Sequence, residues 1–146
     1  MLPKSSSKKA FSKESKNYFM SFIELARKML NFDTSPTHGT RELAQWLSSE
    51  AHGRGMFVEL QEEVVGDLQQ ANIIIRPTAE RPSLEFLLQT HLDTQDPGPF
   101  GMWVENGHNP FDATIKDNRI FGLGSADVKL DFLCKFEAVS QFPKNQ

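Results

Sequence analysis

The tightest constraint on the fold lies at residues 83–94, S-L-E-F-L-L-Q-T-H-L-D-T. A near-continuous apolar run, Leu84-Glu85-Phe86-Leu87-Leu88, leads straight into Thr90-His91-Leu92-Asp93-Thr94. Such a run is the pattern of a strand covered on both faces, over 83–89 here. Ligands in open α/β sheets gather outside the carboxyl ends of strands. His91 and Asp93 stand at such an end, two residues apart.

The remaining periodicities fill in an α/β layer structure. Phe19, Phe22, Ile23, Ala26, Met29 and Leu30 recur at helical spacing and predict a helix over 15–31 with one apolar stripe. Residues 33–39 form a turn-rich break. A second helix is expected over 40–52, with Leu43, Ala44, Trp46, Leu47 and Ala51 inward, stopped by Gly53 and Gly55. Strands follow over 56–65 and 71–76, the latter with the β-branched run Ile73-Ile74-Ile75. Lys116-Asp117-Asn118 reads as a hairpin turn between 114–115 and 119–121. A closing helix spans 128–142, ended by Pro143.

At 146 residues the chain is one domain or part of one. A chain of that size buries roughly 68–70% of its unfolded surface, enough for a real core. A net charge of −3 gives no reason to expect nucleic acid or a membrane surface as partner. No apolar run approaches the roughly 18 residues of a membrane span. The single Cys134 excludes an intrachain disulfide, suits a cytoplasmic setting and reads as a small buried residue of the last helix. Residues 1–16 differ: five lysines and a run of serines read as a disordered basic leader ahead of a domain over 17–146.

The residues themselves suggest metal chemistry. Imidazole and carboxylate are standard zinc ligands. In an extended segment positions 91 and 93 share one face, so His91 could ligate while Asp93 accepts its other ring N–H and fixes the tautomer. Asp127 lies in a second element, Gly122-Leu123-Gly124-Ser125-Ala126-Asp127-Val128-Lys129, a glycine-rich turn before a helix. Its two oxygens could bridge two cations, which at roughly 3.5–4 Å polarise a carbonyl and supply a hydroxide near neutral pH. On spacing alone, a hydrogen-bonded turn histidine is the favoured reading of His91, ahead of a metal ligand.

The linked series T-H-L-D-T, then Trp103, then N-P-F-D-A-T-I-K-D-N-R-I-F-G (109–122), then G-L-G-S-A-D-V-K resembles the zinc-dependent amidohydrolases and exopeptidases. Acetylornithine deacetylase, succinyl-diaminopimelate desuccinylase, aminoacylase and glutamate carboxypeptidase belong to that family. The resemblance implies a three-layer αβα catalytic domain with a mixed, mostly parallel sheet, of which this chain is the N-terminal part. It implies that His91 ligates one metal, that Asp93 joins the catalytic set by orienting His91, and that Asp127 bridges both metals and begins a cis peptide with Val128. The implied cofactor is a pair of zinc ions, with cobalt able to replace them. The implied reaction is hydrolysis of an amide bond in an N-acyl amino acid or small peptide. The implied partners are that small-molecule substrate and a second copy, through a domain beyond this chain.

The chain departs from the family pattern at Phe121, Leu123 and Leu130, where tyrosine, arginine and glycine are usual. None of these is expected to ligate metal, so they bear on substrate class. The family's general base and remaining ligands fall after Gln146. The competing expectation is therefore a non-catalytic segment or interaction domain. Lys129 is assigned no chemistry.

Overall fold

A computed structural model describes residues 13–80 and 86–141, with side chains from residue 22 onward. Helix α1, Lys13–Leu30, leads to α2, Arg41–Gly53. Strands β1, Phe57–Val65, and β2, Leu68–Arg76, form an antiparallel hairpin in which Leu60 faces Ile73. Strands β3, Thr114–Lys116, and β4, Arg119–Phe121, form a second, shorter one. Helix α3, Leu130–Ser140, closes the described chain.

One core joins the helices to the first hairpin. Leu25, Ala26 and Met29 from α1 meet Leu43, Ala44, Leu47 and Ala51 from α2, Ala71 from β2, and Leu133 and Phe136 from α3. Val58, Leu60, Ile73 and Ile75 pack onto that cluster from the hairpin face turned toward α2. The start of α2 is fastened to β2: the Thr40 hydroxyl donates to the Ala71 carbonyl and accepts its N–H, both at 3.0 Å. Gly39 makes this approach, since a Cβ there would meet the Gln69 carbonyl oxygen and its φ of +80° favours glycine. On the surface Glu62 accepts from Gln45 and Arg41 of α2. At the far end of α2, Arg54 pairs with the buried Glu137 of α3 at 2.6 Å and lies over the Phe136 ring.

Several expectations need adjustment. The strands among the described residues pair antiparallel, in two sheets of two strands. The mostly parallel, three-layer sheet is not formed by them. Of the strand expected over 83–89, residues 83–85 lie outside the described residues, and 86–89 form no strand. The physical reason is exposure: Phe86, Leu87 and Leu88 are 86%, 70% and 49% exposed, so no layer covers them among the described residues. Of the basic leader, 1–12 lie outside the described residues and 13–16 belong to α1. Cys134 is exposed, because α3 turns Leu133, Phe136 and Glu137 inward and the position between them faces out. No helix among the described residues is long and apolar enough to cross a membrane.

Candidate metal centre

The His91 segment is irregular but extended, and burial alternates along it. His91 and Asp93 are exposed, while Leu92 and Thr94 are buried. The alternation sets His91 and Asp93 on one face, as the spacing predicts. Leu92 enters the core, and the Thr94 N–H donates to the Thr34 carbonyl at 3.0 Å.

Asp127 arrives from the other side. Gly122 packs its bare backbone against Leu30 of α1. Gly124, at φ +84°, leaves no room for a Cβ, which would sit 2.8 Å from the Thr94 Cγ2 and 3.0 Å from the Lys129 Cδ. The chain then winds through a wide turn over Ser125–Lys129, in which Asp127 and Val128 leave helical geometry. The Asp127–Val128 peptide is cis, as the resemblance implies.

These two arms bring the expected residues together. The His91 Nε2 lies 3.0 Å from the Asp127 Oδ1. Its Nδ1 lies 3.0 Å from the Asp93 carbonyl oxygen and 3.2 Å from the Asp93 Oδ1. Asp93 thus meets the ring through its backbone as well as its side chain. Both ring nitrogens face oxygen acceptors, yet a neutral imidazole has only one N–H to donate. The arrangement therefore calls for positive charge between Nε2 and Asp127, either a second ring proton or a cation. Partial desolvation pulls the His91 pKa down, but the Asp93 carbonyl and the Asp93 and Asp127 carboxylates outweigh it and raise the pKa above the ordinary histidine value.

The donor types suit zinc, which takes imidazole nitrogen and carboxylate oxygen, and a structural or catalytic zinc site needs at least three protein ligands. Among the described residues no group of three or more His, Cys, Asp or Glu side chains converges. His91 and Asp127 therefore fit as one part of a cation site, open to solvent with side-chain exposures of 49% and 73%. The other histidines do not join them. His38 pairs with Asp33 at 3.1 Å, the His52 ring meets the Ser48 hydroxyl, and His108 is exposed.

A cleft of about 300 Å³ opens beside Asp127, walled by Trp103, Ile120, Phe121 and Leu123. Trp103 is fixed there by its indole N–H, which donates to the Pro97 carbonyl at 2.9 Å. The residue that sequence reasoning missed is Lys129. It is fully buried, and its Nζ donates to the Phe32 carbonyl at 2.7 Å. Burial pushes its pKa down to about 8, with Asp33 opposing the shift. A lysine two residues past an acidic turn carries no sequence signal of burial, since lysine is almost never fully buried.

Comparison with known proteins points the same way. The family model for Peptidase family M20/M25/M40 matches residues 87–146, the stretch that carries His91, Asp93 and Asp127. A protein of Methanocaldococcus jannaschii described as an uncharacterized metallohydrolase is 36% identical over 70 residues. That alignment covers 41% of this chain and 16% of the relative, so the chain is similar to a short part of a much longer protein.

Proposed function

We propose that this chain contributes the His91–Asp127 part of a metal-dependent hydrolase site acting on amide bonds in N-acyl amino acids or small peptides. The observation that carries this reading is the His91 ring, held by Asp93 at one nitrogen and facing Asp127 at 3.0 Å with the other. The match to the peptidase family over the same residues supports it.

The proposed cofactor is zinc, as two ions, with cobalt as a substitute. Bound zinc supplies Lewis-acid polarisation of a carbonyl and acidifies water. His91 would hold it through Nε2. Asp93 keeps the proton on Nδ1, which leaves the Nε2 lone pair free. Asp127 offers two carboxylate oxygens, enough to reach neighbouring cations. In this reading the described elements belong to a larger three-layer αβα domain with a mostly parallel sheet, cytoplasmic, paired with a second copy through a domain outside this chain.

A second reading, an interaction segment without turnover, draws on one observation: no third ligand converges among the described residues. Titration of the chain with zinc or cobalt(II), followed by an assay on a panel of N-acetyl amino acids, separates the two. Metal uptake that vanishes in His91→Ala and Asp127→Ala, with turnover in the metal-loaded protein, is the expected result. Uptake that ignores both substitutions would sink the metal reading. Uptake without turnover would favour the interaction segment.

A further inference from the structure

The two arms of the candidate centre have no regular element in common. The His91 arm is extended and the Asp127 arm is a wide turn. What they share is a short stretch just after α1. The Phe32 carbonyl accepts from the Lys129 Nζ at 2.7 Å, and the Thr34 carbonyl accepts from the Thr94 N–H at 3.0 Å. One residue upstream, the Asn31 Oδ1 accepts from the Ala113 N–H at 3.2 Å, which ties in the approach to β3. The stretch is itself held: the Ser35 N–H donates to the Asp33 Oδ1 at 2.9 Å, and Asp33 also pairs with His38.

Lys129 is the only side chain that carries this link to the Asp127 arm among the described hydrogen bonds. Its stem runs past Gly124, where even a methyl group would collide with it and with the Thr94 Cγ2. The Lys129 stem and the Thr94 side chain thus both close on the position a side chain of residue 124 would take. A buried ammonium is costly to desolvate, and one carbonyl at 2.7 Å with the Asp33 charge nearby is a small return for stability alone. Three residues of backbone, Phe32 to Thr34, therefore link the His91 arm to the Asp127 arm.

We propose that Lys129 is a positioning residue, which hangs the Asp127 turn from the Phe32 carbonyl so that Asp127 meets the His91 Nε2. This rests on the reading of His91 and Asp127 as the working pair of the site. The test uses the full chain and two readouts: ring-nitrogen NMR signals of His91 without metal, and cobalt(II) affinity with its visible absorption spectrum. Lys129→Met keeps a long apolar side chain and removes the donor. The expected result is a folded chain with a thermal midpoint no lower than wild type, a His91 Nε2 signal moved toward that of a free histidine, and cobalt(II) binding weakened about tenfold, in the range usual for a lost supporting contact. A role in stability alone would lower the midpoint and leave the ring signal in place, which would overturn the proposal. If Lys129→Met does not fold, Lys129→Arg, which keeps the cation but not the fit, is read in the same way: an unmoved ring signal overturns the idea. A wild-type chain that takes up no cobalt(II) would sink the hydrolase reading, and the metal-free ring signals would still decide the role of Lys129.

Discussion

The hairpin side of the molecule and the site side are built on different scales. Between α2 and the β1–β2 hairpin, contacts join residues close in sequence. The strands reverse over a short turn at Gly66, and Glu62 reaches back only 17 residues to Gln45. At the site, the fixing bonds span 82 residues from Asn31 to Ala113 and 97 from Phe32 to Lys129. On the hairpin side Leu43, Ala44, Leu47 and Ala51 are fully enclosed, whereas at the site Lys129 is enclosed but His91, Asp93 and Asp127 are exposed. The side chains that fill the core and those that carry the candidate chemistry are thus different, although Leu92, between His91 and Asp93, ties the two together.

The largest expected effect is on the hairpin side. Leu47→Ala should cost roughly 2–5 kcal/mol, the usual range for a large-to-small change in a closed core. Urea unfolding reads it, and a loss below about 1 kcal/mol would show that α2 does not anchor the core. Next comes His91→Ala. Zinc affinity measured by calorimetry should fall by more than about 100-fold, beyond the roughly 10–100-fold that a lost supporting partner costs, because His91 is the ligand itself. The urea midpoint should stay put, and a matching drop in stability would erase the separation drawn above. Asp93→Ala should weaken zinc by roughly tenfold, because the carbonyl that also faces Nδ1 remains.

The smallest effect is a pH dependence of the surface clasp. The Gln45 amide, with the Arg41 guanidinium beside it, holds the Glu62 carboxyl below its ordinary value of 4.5. A depressed folded pKa means that the clasp stabilises above the ordinary value and loses this as pH falls through the folded one. The difference in urea midpoint between wild type and Glu62→Gln should therefore shrink on acidification. A difference that stays constant, or grows, would remove Glu62 from the account.

Local signals predicted the local structure. The apolar stripe at Ala26, Met29 and Leu30, the run at Ile73–Ile75 and the turn at Asp117-Asn118 all correspond to observed elements, within a few residues at their ends. The meeting of His91 with Asp127 was legible from their motifs, and the shared face of His91 and Asp93 from alternation. The exposure of 86–89 was not, because an apolar run shows that cover is wanted without showing what provides it. Asn31 read as the end of the first helix and residues 33–39 only as a break. The role of this stretch depends on which distant donors reach the Phe32 and Thr34 carbonyls, and a carbonyl is the same in every residue. The buried Lys129 was missed for a related reason: its charge argues for the surface, and only the Phe32 carbonyl argues otherwise.

The stretch after α1 has a consequence in time as well as in space. During synthesis the Phe32 and Thr34 carbonyls emerge long before Thr94 and Lys129 exist to meet them. Closing such long loops is entropically costly and slow, while the hairpin can form as soon as its turn is made. The candidate site is then among the last parts of the described chain to assemble, and until it does, His91 and Asp127 are strangers on a molecule whose core is already closing.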